Sequence, residues 1–502
     1  MHSGNQESCT SQTSQDFGEA TSTNIPSTTP SDIAPINKLL DEVLLEIFAC
    51  YEEIRNRYYS DDVWHTLARV CRRWRSIALG SPRRLNLRIF CTERTPVRKK
   101  LDFWPPFPIV LSVSFNRNLG EDNILATLEH RHRVCQIEIW NISRSLWENA
   151  LPLIQKPFLI LTDLNLRCSQ YTDDRITSAI PDSFLGGYAP RLQQLHLECI
   201  PFPGLPSLLL STTDLVHLEL NQIPDSGYIS AEAMATCLST LTRLESFMLC
   251  FKSPRPFPQR ERRRSSSSTR TLLPSLTRFT FQGVSEYLED IVDGIDAPLL
   301  YDLTIGFFHQ PIFDAPQLAQ LIGRLPNFKI CHKASMHLGR SYDSIEVLSF
   351  SKKTIPVSLL LEDQHGQPDL LLLPLVHFCT SSLPRALITT VEELSLYGDS
   401  FSRPSGQDGI EPRLWRELLR PFTAVKDLHL ASEFAPHIAL VLQELVGESV
   451  MELLPVLQNI FLRGMDQDKL VPEGIERFIT ARQLAGHPIS VLFTALFNFD
   501  PL

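Results

Sequence analysis

The chain has 502 residues, of which 43% are hydrophobic and 21% are charged, proportions typical of a soluble globular protein. Its formal net charge of −10 argues against a general nucleic-acid-binding protein, because such proteins neutralise phosphates with basic side chains. The length exceeds one compact core, so we expect several domains or an elongated repeat. No apolar run is long enough to predict a transmembrane helix.

Residues 1–35 are rich in Ser, Thr, Gln and Pro and contain few large apolar side chains. Such a segment cannot bury enough apolar surface to offset the entropy that is lost on ordering. We therefore expect a disordered tail. The same residues lack the charged-then-apolar pattern of a secretion signal, so we expect no secretion.

Residues 36–82, called the head below, show the first strong helical periodicity. One apolar stripe consists of Leu40, Val43, Leu44, Ile47, Phe48 and Tyr51. A second follows a polar helix start at 60–62 and consists of Trp64, Leu67, Val70, Cys71, Trp74, Ile77 and Ala78. Three short helices cannot bury all of these side chains among themselves. We therefore expect part of this apolar surface to contact a partner.

The head resembles an F-box, the helical module that docks onto the Skp adaptor of cullin–RING ubiquitin ligases. The resemblance rests on LLDEVLLEIF, a later tryptophan and VCRRWRSIA. Leu40 departs from the pattern, which usually has a helix-starting proline there, so a looser first turn is expected. The resemblance implies adaptor binding by Ile36, Leu39, Leu40, Val43, Leu44, Ile47, Phe48, Val70, Cys71, Trp74 and Ile77. The alternative is an ordinary helical cap on a larger domain.

Residues 83–133 connect the head to the rest of the chain. Two short strands are predicted at 85–89 and 108–113, around a basic segment that is interrupted by prolines. A solvated linker face is the simpler interpretation of this charge run, and a phosphate site is the alternative.

From residue 134 onward the pattern apolar-x-x-apolar-x-apolar recurs. Its last two apolar positions alternate, as a strand requires. The central residues of the units are Ile137, Leu164, Leu195, Leu218, Phe247, Phe279, Leu303, Phe328, Leu348, Leu394, Leu428 and Ile460. A degenerate further unit is expected within 357–361.

Strands that recur at this spacing, with a helix or loop between them, predict a solenoid with a parallel sheet on one side. Residues 134–502 resemble leucine-rich repeats, although the Asn or Cys of a strict repeat is replaced by Ser169, Ile200 and Ile223. The predicted fold class is therefore α/β: a three-helix F-box followed by an irregular leucine-rich-repeat-like solenoid with a curved parallel sheet. A chance pattern in a leucine-rich α/β protein is the alternative.

Helices are predicted between these strands at 231–241, 285–291, 315–323, 436–454 and 472–484, with a last strand at 489–493. Residues 252–271 are basic and serine-rich and should form an exposed loop. Arg262 and Arg263 precede Ser265, so Ser265 and Ser266 are candidate phosphorylation sites. A plain disordered insertion and a weak nuclear-import patch are equal alternatives.

The sequence contains no motif for phosphate cradling, dinucleotide binding or a nucleophile elbow. The clusters His130–His132 and Cys331–His332–His337 lack the second pair of ligands that a zinc site needs. We therefore predict no enzymatic activity, no cofactor and no metal. The eleven cysteines never form C-x-x-C, which suits a reducing compartment, so the expected localisation is cytoplasmic, nuclear or both.

In each repeat strand the residues that flank the central apolar position should face outward and together form a concave binding surface. Candidates for substrate binding are His196, His217, Glu219, Asp302, Glu393, Asp427 and His429. Acidic residues recur at these outward positions while Arg278 stands nearly alone, so we expect a protein or peptide partner of basic character. A simply solvated sheet face is the alternative.

The whole chain resembles F-box/leucine-rich-repeat proteins that are abundant in mushroom-forming fungi, through phrases such as WHTLARVCRRWRSIALGSPRRLNL and LQELVGESVMELLPVLQNIFLRG. The resemblance implies a substrate-recognition adaptor of a cullin–RING ligase of the SCF type. The F-box would dock onto the Skp-type adaptor, and the solenoid would bind an unknown protein substrate, with no nucleic acid or membrane involved. The alternative is a structural or sensing solenoid outside any ligase, with an F-box-like cap.

Overall fold

The computed structural model of the chain describes residues 35–58, 63–80, 87–93, 96–113, 120–168, 178–253, 270–308, 315–338, 342–348, 357–362, 372–398, 412–445, 447–464 and 471–494. Residues 1–34 of the predicted tail, the polar helix start at 60–62 and the candidate phosphorylation sites Ser265 and Ser266 lie outside these residues. No helix in the described part of the chain is long and apolar enough to cross a membrane.

The described helices alternate with strands along most of the chain. They are α1 (Asp41–Tyr58), α2 (Val63–Val70), α3 (Arg72–Gly80), α4 (Val97–Phe103), α5 (Glu121–Glu129), α6 (Arg144–Ile154), α7 (Leu205–Leu209), α8 (Ala231–Leu238), α9 (Ser285–Asp293), α10 (Pro316–Arg324), α11 (Leu372–His377), α12 (Arg385–Ile388), α13 (Pro412–Leu419), α14 (Ala435–Gln443) and α15 (Glu473–Leu484).

The strands are short, as expected for the narrow coils of a solenoid. They are β1 (Leu87–Phe90), β2 (Ile109–Val113), β3 (Val134–Ile142), β4 (Asp163–Cys168), β5 (Gln194–Glu198), β6 (His217–Ile223), β7 (Ser246–Phe251), β8 (Thr271–Leu272), β9 (Arg278–Gly283), β10 (Ile295–Asp296), β11 (Asp302–Phe308), β12 (Lys333–Leu338), β13 (Tyr342–Leu348), β14 (Val357–Glu362), β15 (Glu393–Gly398), β16 (Asp427–Ala431), β17 (Asn459–Arg463) and β18 (Ser490–Thr494).

Helices α1 to α3 form the head around an aromatic contact. Phe48 is fully buried, and its ring lies 4.8 Å from that of Trp74, measured between centroids. Arg73 donates a hydrogen bond of 2.6 Å to the carboxylate of Asp41 in the first turn of α1. An anionic side chain at this end of a helix also interacts favourably with the helix dipole. The α1–α3 contact is therefore held by both aromatic packing and charge.

Sixteen of the described strands form one sheet, and most of them follow one another in chain order. All neighbours from β1 to β11 within this sheet pair in parallel, as do β12 and the four strands from β15 to β18. The register aligns the central apolar residues, for example Leu195 with Leu218 and Phe247 with Phe279. The rings of Phe247 and Phe279 stack 5.3 Å apart. Aligned apolar residues thus form a continuous ladder in the core.

The helices that return the chain between strands cover one face of this sheet. Their starts are specified locally: Ser143 accepts a hydrogen bond from the backbone of Leu146 at the start of α6. Neighbouring returns are also joined, because the carboxylate of Glu289 in α9 accepts hydrogen bonds from the first-turn amides of α10, at Gln317 and Leu318. The coils that contain α9 and α10 are therefore joined by polar contacts as well as by the core.

Three features of the sheet differ from the sequence prediction. The predicted unit centred on Phe328 is a short 3-10 helix, Pro326–Phe328, and the strand follows it at β12. The unit predicted around Leu348 is β13, which runs antiparallel to β12 and β14 rather than continuing the parallel order. The sheet also begins upstream of residue 134, since β1 and β2 pair with each other and β2 pairs with β3.

The remaining predicted elements lie close to the observed ones, including a strand at 357–362 where the degenerate unit was expected. The predicted helix at 436–454 is shorter, because α14 ends at Gln443 and a 3-10 helix, Gly447–Met451, follows. A parallel sheet that grows strand by strand, with helical returns on one face, is a leucine-rich-repeat-like solenoid. The α/β fold class and its large parallel sheet are confirmed. The repeat pattern did not predict that β13 pairs antiparallel with its neighbours.

Candidate protein-binding surfaces

One face of the head exposes a row of large apolar side chains. Leu40 is 69% exposed, Val43 42% and Ile47 40%, and these residues are spaced three and four apart, which places them on one side of α1. Ile36, at 40% exposed, precedes them in a short 3-10 helix, Pro35–Lys38. We call Ile36, Leu40, Val43 and Ile47 the head stripe. Single exposed apolar residues are common, but a row of them makes this part of the head a candidate contact site.

The structure divides the eleven residues that the F-box resemblance assigned to adaptor binding. Leu44, Phe48 and Ile77 are buried within the protein, so in this conformation they support the head rather than offer a contact surface. Leu39, Cys71 and Trp74 are half-buried. The exposed members are the head stripe and Val70, which is 57% exposed at the end of α2.

Leu40 does not disturb the start of α1. Its carbonyl accepts a hydrogen bond of 3.1 Å from the amide of Leu44, so the first turn forms without a proline, contrary to the looser turn that was expected. The leucine instead adds the most exposed apolar side chain of the head stripe.

The second surface is the sheet face opposite the helices. Outward residues on neighbouring strands lie side by side: Asn165 beside His196, His196 beside Glu219, and Ser395 beside His429. The predicted candidates do lie at outward-facing positions of the strands. His196 is nevertheless buried to 7% exposure by its neighbours, so the expectation that it is freely exposed is wrong.

A polar network surrounds His196. Its Nδ1 lies 2.6 Å from the carboxylate of Glu219, and its Nε2 lies 3.7 Å from Glu198. Burial raises the pKa of Glu219, but the hydrogen bond with His196 and the charges of His196 and Arg167 outweigh burial and lower that pKa below its ordinary value. Glu219 is therefore an ion-pair partner of this network and not a free carboxylate.

The network continues onto β3 and β4, two predicted repeat strands whose outward residues were not among the predicted binding candidates. The guanidinium of Arg167 lies 4.0 Å from the ring centroid of Trp140, a cation–π contact, and 3.6 Å from Glu198. The indole N–H of Trp140 donates a hydrogen bond to Glu138 at 3.0 Å. Trp140 was missed because it follows the last apolar position of its unit. Its alternation with Glu138 along β3 was the signal that it faces outward.

A second cluster lies on β12, β15, β16 and β17. His429 stacks on Phe461 with ring centroids 4.2 Å apart, and its Nδ1 lies 3.2 Å from the guanidinium of Arg463. Burial and the charge of Arg463 lower the pKa of His429, against the opposing effect of Glu393 and Asp427. The neutral form of His429 is therefore favoured more than in an ordinary histidine, and the cluster presents an aromatic stack edged by the cation of Arg463.

Several acidic residues of the sheet face have local partners, so the face carries less free negative charge than the sequence predicted. Glu393 forms an ion pair with Lys333 at 2.7 Å, and the carboxylate of Asp427 accepts a hydrogen bond from Asn459 at 2.7 Å. Burial raises the pKa of Asp302 despite the lowering effect of Arg278. The acidic residues of the sequence prediction thus have local partners or reduced acidity. The face offers mixed polar and aromatic groups more than free negative charge.

The His130–His132 pair and Cys331, which the sequence analysis singled out, lie in the part of the chain that the structure describes. It contains no group of three or more His, Cys, Asp or Glu that could hold a metal ion. The thiol of Cys331 donates a hydrogen bond to the carbonyl of Lys333 at 2.9 Å, and burial raises its pKa to about 12. The rings of His130 and His132 lie 6.1 Å apart, measured between centroids.

Comparisons with known proteins give little beyond the fold. No protein-family model matches the chain, and no curated protein matches it by sequence. Among solved structures, the leucine-rich-repeat-containing protein LegL7 from Legionella pneumophila aligns with 11% sequence identity and a TM-score of 0.25, covering 82% of this chain and 91% of that one. The fold assignment therefore rests on the strand order and pairing of the chain itself.

Proposed function

We propose that the chain is a substrate-recognition adaptor of a cullin–RING ubiquitin ligase, in which the head docks onto a Skp-type adaptor. The observation that supports this proposal is the head stripe, four large apolar side chains exposed on one face of a small helical unit. Apolar area of this kind gains roughly 25 cal/mol per Å² when a partner removes it from water. The F-box resemblance indicates that the partner of this stripe is a Skp-type adaptor.

In this proposal the solenoid binds the protein substrate through its outward sheet face. The two polar clusters there each combine an aromatic ring with an arginine guanidinium group, and both kinds of group are enriched at the centres of protein interfaces. The chain contributes no chemistry of its own. It raises the effective concentration of the substrate near the ubiquitin-carrying enzyme. Such work takes place in the cytoplasm or the nucleus, where these ligases act.

The docking part is tested by co-purification with a Skp-type adaptor. The wild-type chain should retain the adaptor, and the double variant Leu40→Asp/Ile47→Asp should bind at least about a hundredfold more weakly, because burying unpaired carboxylates costs several kcal/mol. The matched control is Leu159→Asp/Leu210→Asp, which alters two equally large side chains that are 58% and 48% exposed elsewhere. The control should bind as the wild type does.

The outcomes separate the proposal from its alternative. A folded wild-type chain that does not retain the adaptor would identify the head as a structural cap, and the chain as a solenoid outside the ligase. For the substrate, proximity labelling with wild type and with Trp140→Ala should differ in the proteins labelled, since the aromatic ring faces outward on β3. Identical labelling would place substrate binding away from this cluster.

A further inference from the structure

The last strand, β18, has the features of an unprotected sheet edge. Among the described strands it has one neighbour, β17, with which it pairs in parallel. Val491 and Phe493 align with Ile460 and Leu462, which are fully buried, yet both side chains on β18 are only half-buried. Leu492, on the opposite face, is 45% exposed. The described residues therefore leave the core incompletely covered at this end of the solenoid.

The backbone direction of β18 shows which groups face the open side. The amide of Ser490 donates to Gln458, and the carbonyl of Thr494 accepts from Gly464, so both residues direct their backbone groups toward the β17 side. Backbone groups alternate along a strand. The N–H and C=O of Val491 and Phe493 consequently point to the open edge, where an added strand can pair with them.

The sequence of β18 is symmetric about its central residue. Its two end residues, Ser490 and Thr494, carry hydroxyl groups. The residues next to them, Val491 and Phe493, are apolar, and Leu492 lies at the centre. None of the five side chains is charged, so two copies brought together would not repel each other. The strand also lacks the lysine or proline with which edges are usually protected.

We propose that β18 is a homodimerisation edge, which pairs antiparallel with β18 of a second copy of this chain about a twofold axis at Leu492. In this register Val491 of each copy faces Phe493 of the other, and each of these two pairs exchanges two backbone hydrogen bonds. The two Leu492 side chains meet on the exposed face. Ser490 faces Thr494, a hydroxyl pair that is compatible across strands.

The symmetric pattern favours a second copy over an unrelated peptide. A twofold interface uses the same patch on both subunits, so every group must suit its own symmetry mate, and β18 meets that condition along its whole length. The pairing would join the two sheets into one and carry two heads on a single assembly. This inference is independent of what the heads or the sheet faces bind.

The test measures mass in solution over about a hundredfold range of concentration, since a dimer of this kind dissociates on dilution. The wild-type chain should be dimeric at the upper end. Leu492→Lys and Leu492→Asp should each be monomeric, because like charges would meet at the twofold axis. Mixing the two variants should restore a dimer, since opposite charges then face each other. Leu159→Lys is the control and should remain dimeric.

A second variant keeps the proposal testable if the charged variants fold poorly. Across a non-hydrogen-bonded antiparallel pair the Cα atoms lie about 4.5 Å apart, within the range of a disulfide. Leu492→Cys should therefore form a covalent dimer under mild oxidation, where the wild-type chain with its own cysteines does not. A monomeric wild type, a dimer that survives Leu492→Lys, or variants that stay monomeric when mixed would overturn the proposal.

Discussion

Two adjacent residues of α1, Val43 and Leu44, should lose very different amounts of stability on the same substitution. Leu44 is fully buried, and its replacement by alanine removes packing and leaves a cavity, at a cost of about 3 kcal/mol. Val43 is 42% exposed, so Val43→Ala removes only partly shielded methyl groups, at about 1 kcal/mol. Alanine also returns about 0.5 kcal/mol through its better helix propensity. The expected net loss at Val43 is therefore about 0.5 kcal/mol.

Hydrogen exchange of the amides in Asp41–Tyr58 measures this difference locally, because exchange reports the free energy of opening of each segment. Leu44→Ala should speed exchange of the slowest amides about a hundredfold, and Val43→Ala should change it no more than about threefold. The amides of β5 (Gln194–Glu198) serve as an internal reference and should be unaffected. Equal acceleration by both variants would refute the assignment of an inner and an outer face to α1.

Two further predictions concern the solenoid. A Cβ at Gly474 would lie 2.2 Å from the carbonyl oxygen of Ala439, so Gly474→Ala should lower the unfolding free energy by about 1–3 kcal/mol, measured by urea denaturation. The control is Gly323→Ala, whose Cβ would have its nearest contact at 4.0 Å and which should not lower the unfolding free energy. The pKa of Glu219 is lowered in the folded protein, so the stabilisation it contributes is present above its ordinary pKa and is lost as pH falls through the lowered value. The stability advantage of wild type over Glu219→Gln should accordingly shrink on acidification, and a constant difference would show that its contact with His196 does not persist in solution.

Variants that test partner binding at the outward sheet face can be chosen from its geometry. Reversing acidic side chains such as Glu219 would break an internal ion pair as well as any partner contact, so a loss of binding would be ambiguous. Trp140 and Phe461 present aromatic surface without holding an ion pair through their rings. Trp140→Ala removes the cation–π contact with Arg167 and the hydrogen bond to Glu138, and Phe461→Ala removes the stack on His429, but both leave every carboxylate of the two clusters in place.

Much of the architecture could be predicted from periodicity. The alternation at positions such as Leu195 and Leu218 is local, and burial of one strand face demands it wherever such a strand forms. The amphipathic pattern of α1 likewise predicted a helix, and the excess of apolar residues in the head predicted an exposed remainder. These conclusions depend on neighbours in sequence, which is why they could be drawn without coordinates.

Pairing between distant strands could not be derived in this way. The residues of β13 have the same apolar spacing as a parallel repeat, and the pattern does not encode the direction in which a strand pairs, so its antiparallel run emerged only in the sheet. Where α3 packs decides which apolar residues of α1 are buried, as Leu44 and Phe48 are, and which remain exposed in the head stripe. A helical period alone assigns all of these residues to one broad apolar side.

Short-range periodicity of apolar side chains was enough to predict the α/β class, most strand positions and the helices of the head, but not the 3-10 helix at Phe328. The burial, pairing and contacts of the surface residues depend on the tertiary structure. His196 became buried, Glu219 and Glu393 became paired, and Trp140 joined Arg167 only when strands far apart in sequence came side by side. The physical reason is that charge and exposure depend on neighbours across the sheet, which no local pattern specifies.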